Sequence, residues 1–343
     1  MLLAEKLSGG GRISRNAVHS FDFTTICSEV ALRAAWKKFS AGKKSRSDVA
    51  EYQKHLRRNT QNLQGDLVSS RYEHGVYQPF TICDPKQRQI HKATVRDRLV
   101  HQAIVSAIEP LFEKRFIYDS YSCRVGKGTH AGVARLGLFL RQASHNNTQK
   151  VWVLKCDVRQ FFASIDHEIL MRQAEARIDD EQTLELLRTI LLSHNAETGK
   201  GIPLGNVTSQ LCANIYLHEL DWFMKQTIGV KYYLRYCDDF VVVSTDKDYL
   251  ISLIEPIERF LAETLKLELH PSKVSIRSWG QGIDFLGYVL RPNATTLRTK
   301  TKRRMLSKVN SNNLSSYLGM CSHANQYELS QVVKLLAWNK QEY

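Results

Sequence analysis

The sequence has few acidic residues for its length and lacks any long hydrophobic run. Asp and Glu number 34 against 48 Lys and Arg, which gives the 343 residues a net charge of +14. No apolar run approaches the roughly 20 residues that a membrane-spanning helix needs. The first residues also lack the basic and apolar regions of a secretory signal. These absences argue against a membrane protein and against a secreted one.

Cysteine pairs at metal-binding or redox spacing are absent as well. The seven cysteines are odd in number, form no C-x-x-C pair and lie far apart, at positions 27, 83, 123, 156, 212, 237 and 321. This distribution argues against a disulfide framework and a zinc site, and it predicts a protein of the reducing cytoplasm. A hydrophobic share of 43% excludes wholesale disorder and allows a real core.

The excess of positive charge suggests three kinds of partner without choosing among them. Nucleic acid, an anionic membrane surface, or no particular partner would each suit a sequence pI near 9.4. The length favours one large domain or two to three subdomains that share a core.

Helical and extended patterns alternate along the chain. We expect a helix over 31–39 and a second that starts at Asp48 as N-cap. Residues 76–92 predict a β-hairpin around a turn at 84–86. Thr94 is the expected cap of a helix over 94–113.

The middle of the chain predicts a buried strand flanked by helices and followed by a hairpin. The apolar run 151–156 is typical of a central strand. Two β-rich runs, 231–236 and 240–243, meet at residues 237–239, which predicts a hairpin tip. Helices are expected over 166–177, 181–192, 207–223 and 254–265, a further hairpin over 274–290, and a basic tail, helical in places, over 291–343.

Three carboxylates occupy positions where a fold would bring like charges together. Asp157 directly follows the buried strand, and Asp238 and Asp239 lie at the predicted hairpin tip. Crowded carboxylates are unfavourable unless a cation neutralises them, and oxygen ligands suit Mg²⁺. Asp–Asp pairs in turns are nevertheless common, so this pair by itself is better explained as structural.

The residues around these carboxylates favour catalysis over a structural turn. Residues 236–239 (Tyr-Cys-Asp-Asp) resemble the Tyr-x-Asp-Asp box of reverse transcriptases. Residues 155–167 resemble the first palm box of the bacterial enzymes, and residues 201–214 resemble the loop and helix between the two boxes. Further boxes follow in family order at 94–100, 122–130, 267–273 and 284–288.

The resemblance implies an α+β fold of the right-hand polymerase type, with fingers, palm, a short thumb and an antiparallel palm sheet. It assigns 1–70 to a basic helical N-terminal extension, 71–150 to the fingers, 151–290 to the palm and 291–343 to a short, basic helical thumb. The palm would contain a fingers insert around 180–206 and a primer-grip hairpin at 274–290.

The loop before the second helix points to one branch of this family. Most reverse transcriptases have Gln-Gly-x-x-x-Ser-Pro there, whereas this chain has Leu204, Gly205, Ser209 and Gln210. That pattern resembles the enzymes of diversity-generating retroelements, which copy a template-repeat RNA with errors at adenines and so diversify a variable gene. A retron or free-standing group II intron-like reverse transcriptase is the alternative within the family. A non-catalytic RNA-binding protein on a polymerase fold is the alternative outside it.

The resemblance also implies roles for individual residues. Asp157, Asp238 and Asp239 would hold two Mg²⁺ ions, with Mn²⁺ as a possible substitute. Phe162 would exclude ribonucleotides as a steric gate, unless it is a core aromatic. Arg88, with Lys86, would hold the triphosphate. Lys273 would protonate the pyrophosphate, unless it is a solvated surface lysine. Leu204, Gly205 and Gln210 would lie near the incoming nucleotide.

Basic residues elsewhere are expected to follow nucleic-acid phosphates in a sequence-independent way. They are Arg124, Lys127, Lys302, Arg303 and Arg304. The implied partners are template RNA, its cDNA, dNTPs and a small basic accessory variability protein, and no membrane.

Overall fold

The N-terminal part of the chain is a group of helices followed by a β-hairpin. The computed structural model describes residues 22–83, 87–194 and 198–339. The helices are α1 (Phe23–Cys27), α2 (Glu29–Ser40), α3 (Ser47–Lys54) and α4 (Leu56–Val68), and the strands are β1 (Gln78–Ile82) and β2 (Arg88–Lys92). The two strands pair antiparallel, so the predicted hairpin over 76–92 is confirmed, although its turn at 84–86 lies outside the described residues.

The start of α3 differs from the prediction. Its N-cap is Arg46, whose side chain makes no capping hydrogen bond, so the prediction of Asp48 as N-cap is wrong. The Asp48 carboxylate instead lies 2.5 Å from the Arg98 guanidinium and 2.7 Å from Lys92 Nζ. The Asp48 carboxylate therefore binds two cations from other elements and does not cap its own helix. Burial alone would raise the pKa of Asp48, but these two ion pairs lower it to about 2.

Other helix starts and ends agree with the sequence patterns. Thr94 caps the next helix, since its hydroxyl accepts a hydrogen bond from Asp97 N at 3.2 Å. Asp166 likewise accepts from Glu168 N and Ile169 N, both at 3.1 Å. Short polar side chains before an apolar periodic run are therefore good signals of these two helix starts. Asp166 acts as a cap although Lys266 Nζ also lies 2.7 Å from its Oδ2.

A four-stranded antiparallel sheet occupies the middle of the molecule. Its strands are β3 (Trp152–Asp157), β4 (Tyr233–Tyr236), β5 (Asp239–Ser244) and β6 (Ser275–Ser278), in the order β4-β5-β3-β6. The prediction of a central strand is confirmed for β3. The surrounding helices are α5 (Val95–Glu113), α6 (Thr129–Ala143), α7 (Phe161–Ser164), α8 (His167–Glu175), α9 (Glu181–Leu192), α10 (Val207–Trp222), α11 (Lys247–Ser252) and α12 (Ile254–Leu265).

Hydrophobic cores cover both faces of this sheet. Successive side chains of a strand point to opposite faces. Leu154 and Cys156 of β3 pack into a large core that includes buried residues of α2, α5, α9, α10 and α12. Val153 packs on the other side, into a second core with α6 and the C-terminal elements. Burial on both faces explains why this strand reads as a continuous apolar run.

The C-terminal part adds a small sheet and three helices. The strands β7 (Ile283–Phe285), β8 (Tyr288–Arg291) and β9 (Ala294–Leu297) pair antiparallel in chain order. The helices are α13 (Thr299–Lys308), α14 (Leu314–Ser322) and α15 (Tyr327–Asn339). The hairpin expected over 274–290 is divided, because β6 pairs with β3 in the central sheet, whereas β7 and β8 form a hairpin in the small sheet.

The fold is therefore α+β with an antiparallel central sheet, as predicted. Within the described ranges, no helix is both long enough and apolar enough to span a membrane.

Candidate active site

The three aspartates lie together at one end of the central sheet. Asp157, the last residue of β3, is directly opposite Asp239, the first residue of β5. Asp238 belongs to the β4–β5 turn (residues 237–238), and its carbonyl accepts a hydrogen bond from Val158 N at 3.3 Å. The antiparallel register thus brings together carboxylates that are 81 positions apart in the chain (238 − 157).

A lysine from a distant segment contacts Asp157. The chain after α12 runs beside the end of β3, because Arg159 N donates to the Glu268 carbonyl and His270 N donates to the Asp157 carbonyl, each at 2.8 Å. This pairing delivers Lys273, whose Nζ donates to Asp157 Oδ1. The predicted site residue Lys273 therefore lies at the carboxylates and not on an isolated surface.

A second lysine, which the sequence did not single out, neutralises Asp239. Lys155 Nζ lies 3.3 Å from Asp239 Oδ1 and donates to the Asp284 carbonyl at 3.2 Å. Lys155 precedes Asp157 by two positions on β3, so strand alternation puts both side chains on one face. That periodicity is the signal by which Lys155 could have been found.

Burial and crowding raise the pKa of two of these carboxyl groups. Burial raises the pKa of Asp238, and the neighbouring Asp157 charge raises it further. Burial also raises the pKa of Asp239 to about 6, although Lys155 opposes this effect. Asp239 Oδ1 is buried, and its contact with the Lys155 ammonium at 3.3 Å is an ion pair without good hydrogen-bond geometry. Oxygen donors of this kind are stabilised by a cation.

The donor set therefore fits a divalent cation in charge and in ligand type. As the side chains stand, no group of three or more His, Cys, Asp or Glu in residues 22–83, 87–194 and 198–339 is arranged to hold a metal ion. Lys273 and Lys155 instead each form an ion pair with one carboxylate, Asp157 and Asp239 respectively. A metal ion at this site would compete with both ion pairs.

The aspartates line a cleft of about 750 Å³, called here the carboxylate cleft. It is lined by every described residue that the sequence predicted for catalysis or nucleotide binding, namely Arg88, Asp157, Phe162, Leu204, Gly205, Gln210, Asp238, Asp239 and Lys273. Lys86 lies outside the described residues. The cleft is thus large enough for a nucleotide and combines carboxylates, a guanidinium and apolar surface.

The loop before α10 is attached to strand β2, which carries Arg88. His91 N donates to the Leu204 carbonyl at 3.1 Å, and Asn206 Nδ2 donates to the His91 carbonyl at 3.2 Å. Ser209 Oγ secures the loop from the other side by donating to the Pro203 carbonyl at 2.6 Å. These bonds make one wall of the cleft from two segments that are far apart in sequence.

Gly205 allows this close approach. Its φ of +107° suits only glycine, and a Cβ there would lie 2.7 Å from Ile90 Cγ2.

We expect Gly205→Ala to push the loop away from β2 and to raise the KM for dNTP about tenfold. Strain of this kind costs about 1–3 kcal/mol, and 1.4 kcal/mol corresponds to a factor of ten. Steady-state kinetics with a primed template measures the effect. Gly229→Ala is the matched control, since Gly229 also has a positive φ of +77° but no described atom lies within 4 Å of the place that a Cβ would take there. An unchanged KM in Gly205→Ala would contradict the predicted role of this contact.

Phe162 lies at the boundary between the cleft and the core. It belongs to the short helix α7, lines the carboxylate cleft and is partly buried against the large core. Its ring meets Phe161 edge-on at 5.3 Å between centroids. The position of Phe162 is therefore compatible with both expected roles, the steric gate and the core aromatic.

Two of the predicted phosphate-binding residues have local structural partners. Arg124 is 6% exposed and forms a bidentate pair with Glu113, at 2.7 Å for the closest atoms. Lys127 Nζ donates to the Tyr118 carbonyl at 2.9 Å and lies 3.3 Å from the centroid of the same residue's ring. Neither is among the residues that line the cleft. These contacts give both side chains a role in fixing the segment before α6.

The other predicted phosphate-binding residues, Lys302, Arg303 and Arg304, lie on α13. A second cavity of about 330 Å³, called here the basic cavity, shares Asp157, Asp239 and Lys273 with the cleft. Further cations line it, namely Lys155 of β3, Arg277 of β6 and Arg298, which directly follows β9. Asp284 also lines the cavity, and its carboxylate accepts a hydrogen bond from Arg298. Sequence reasoning missed Arg277 and Arg298, because only the pairing of β6 with β3 and the junction between β9 and α13 bring them there.

The sequence resembles known proteins over most of this region. The family model for reverse transcriptase (RNA-dependent DNA polymerase) matches residues 84–290, more than half of the chain. The chain is 28% identical over 272 residues to protein YkfC of Escherichia coli strain K12, covering 67% of this chain and 70% of YkfC.

More distant similarities extend to an intron-encoded protein and to a telomerase structure. The group II intron-encoded protein LtrA of Lactococcus lactis subsp. cremoris is 25% identical over 293 residues, covering 65% of this chain and 48% of LtrA. The chain thus spans about half the length of LtrA. Among solved structures, telomerase from Candida albicans with a fragment of telomeric RNA aligns at a TM-score of 0.49 and 12% identity, covering 77% of this chain and 54% of that chain.

Proposed function

Because the chain belongs to the reverse transcriptase (RNA-dependent DNA polymerase) family, we propose that its carboxylate cleft is where RNA is copied into DNA from dNTPs. The observation that carries the proposal is the convergence of three aspartates and the expected nucleotide-binding residues on this one cleft. Their positions span residues 88–273, so the fold alone brings them together.

Asp157, Asp238 and Asp239 would hold two Mg²⁺ ions, with Mn²⁺ able to substitute. Bound divalent ions activate an attacking hydroxyl and neutralise a leaving pyrophosphate. The protein supplies the crowded carboxylates, the guanidinium of Arg88 for the triphosphate, and Lys273 for the leaving group. Lys273 would exchange its contact with Asp157 for one with the pyrophosphate.

Nucleic acid would lie along the basic cavity and α13. Lys155, Arg277 and Arg298 line the cavity beside the carboxylates, and Lys302 and Arg303 follow on the next helix. Phosphate contacts of this kind are independent of sequence and weaken with salt. This surface would therefore bind the template and primer, while the cleft selects the nucleotide.

Leu204 supports the narrower assignment to a diversity-generating retroelement. Its apolar side chain lines the cleft at a position where most reverse transcriptases have a glutamine. A glutamine there can form a hydrogen bond that favours a correct base pair, whereas leucine offers only packing. The enzyme would then copy a template-repeat RNA with errors at adenines, together with a small basic accessory variability protein, and so diversify a variable gene.

The alternative is a retron or group II intron-like reverse transcriptase of ordinary accuracy. The similarity to LtrA is compatible with it. Copying accuracy at adenine distinguishes the two.

We expect Leu204→Gln to lower misincorporation opposite adenine about threefold to tenfold, because one hydrogen bond contributes about 0.5–1.5 kcal/mol net. Sequencing of cDNA made from an adenine-containing template, at identical dNTP levels, measures the change. Leu335→Gln on α15 makes the same substitution at an exposed site and should leave accuracy unchanged.

Two results would contradict different parts of this proposal. If the wild type copies adenine as accurately as other bases with its native template and partners, the assignment to a diversity-generating retroelement fails and the alternative remains. If the wild type is error-prone and Leu204→Gln changes nothing, only the role of Leu204 is wrong.

A further inference from the structure

A fully buried ion pair lies directly behind the β4–β5 turn. Arg235 of β4 and Asp221 of α10 both have side chains that are 0% exposed. Arg235 Nε donates to Asp221 Oδ1 at 2.7 Å, and Nη2 donates to Oδ2 at 2.6 Å. Tyr233 also donates its hydroxyl to Asp221 Oδ1 at 2.8 Å. A buried pair of this kind is weak evidence for stabilisation, so its presence needs another explanation.

The remaining hydrogen bonds of Arg235 include two to residues that line the carboxylate cleft, Cys237 and Asn214. Nη1 donates to the Cys237 carbonyl at 3.1 Å and to Asn214 Oδ1 at 3.4 Å. Nη2 also donates to Ser120 Oγ at 3.2 Å. One guanidinium thus contacts the β4–β5 turn, helix α10 and the segment before α6.

The turn that Arg235 contacts has a backbone that needs support. Cys237 has a φ of +56°, in the left-handed region that is unfavourable for a residue with a side chain. This conformation sets the direction in which the next residue, Asp238, leaves the turn. A hydrogen bond to the Cys237 carbonyl fixes the peptide plane between these two residues.

We propose that Arg235 is a positioning residue, which holds the Cys237 carbonyl and so keeps Asp238 aimed into the carboxylate cleft. The inference rests on the proposed function, since it matters only if Asp238 takes part in catalysis. Asp221 neutralises the guanidinium and fixes its plane, so that Nη1 points at the turn. The planar fork is essential, because a lysine ammonium could pair with Asp221 but could not span both groups.

The test compares Arg235→Lys with Tyr233→Phe. Both variants remove hydrogen bonds from the same buried aspartate, but only the first removes the contact with the turn. For Arg235→Lys we expect kcat at saturating dNTP to fall about 10²-fold, the cost of misplacing a catalytic group by about 1 Å. We expect the KM for dNTP and the Kd for primed template to change by less than about twofold. Tyr233→Phe should keep wild-type kcat even where its Tm falls equally.

A second measurement does not depend on turnover. Mn²⁺ titration followed by EPR, on complexes with a dideoxy-terminated primer and the matching dNTP, reports the ion at Asp238. We expect Mn²⁺ to bind about tenfold more weakly to Arg235→Lys, because loss of a residue that orients a metal ligand typically lowers metal affinity by this amount. Mn²⁺ binding to Tyr233→Phe should be unchanged.

The outcomes separate this inference from the proposed function. Equal losses of kcat and Mn²⁺ binding in both variants, in proportion to Tm, would show a merely structural network and overturn the inference. Wild-type kcat in folded Arg235→Lys would also overturn it while leaving the proposed function intact. If the proposed function itself were wrong, Asp157→Ala and Asp238→Ala would retain polymerase activity.

If Arg235→Lys does not fold, the double variant Arg235→Met with Asp221→Leu replaces both charges by apolar side chains of similar length. It loses the contact with Cys237 in the same way, so the same fall in kcat is expected. Wild-type kcat in this variant would overturn the inference.

Discussion

Asp157→Ala and Asp238→Ala are each expected to abolish dNTP incorporation and to leave binding of primed RNA near normal. Metal ions contribute several kcal/mol to a transition state, so losing one of their ligands should cost about 10³-fold or more in rate. Primer extension with purified variants measures the rate, and the Kd for labelled primer–template measures binding. Binding should persist because the proposed phosphate contacts are made by the lysines and arginines of the basic cavity and α13, and not by the aspartates.

The Tm in the absence of metal shows whether a variant is inactive because it lacks a metal ligand or because it is unfolded. Burial and the Asp157 charge raise the pKa of Asp238, so its ionised form is unfavourable in the metal-free protein. Asp238→Ala should therefore unfold at the same Tm as wild type or higher in EDTA. Asp248→Ala on α11 removes an exposed acid as the control and should keep full activity. Appreciable synthesis by either site variant, free of contaminating polymerase, would contradict the two-metal assignment.

Phe162→Ala is expected to raise ribonucleotide use relative to deoxyribonucleotide use by up to about 10²-fold, the range in which a pocket discriminates by one hydroxyl group. The ring lines the carboxylate cleft near Asp157. Its removal opens space where a sugar 2′-hydroxyl would otherwise meet the ring. The measurement is kcat/KM for a matched pair of rNTP and dNTP on one template.

Phe162→Tyr keeps the ring and serves as the control, with a ratio close to that of the wild type. The alternative role of Phe162 as a core aromatic predicts a different result for Phe162→Ala. The variant would then lose Tm by the mechanism of a core truncation, while its preference for dNTP would not change. That combination would remove Phe162 from the nucleotide site.

The sequence determined the local elements and the residues proposed as reacting groups. The apolar run 151–156 and the helices over 181–192 and 254–265 were predictable, because each segment carries its own hydrophobic period and its own end signals. The three aspartates and Phe162 were identified because they lie within short motifs, in which the neighbouring residues match the family pattern. Asp48 shows the limit of such reasoning, since its own helix competes with Lys92 and Arg98 from other elements.

The tertiary structure decided which distant groups meet and which are already occupied. Strand pairing brought Lys155 to Asp239 and Arg277 to the basic cavity, and Arg298 reaches the same cavity from the position directly after β9. Packing turned Arg124 toward Glu113 and enclosed Arg235 with Asp221 behind the β4–β5 turn. A long cationic side chain has the same sequence signal whether it binds a phosphate or a buried carboxylate. Its role depends on the charge and burial that the rest of the chain places within a few ångströms of its tip, and no local pattern contains that information.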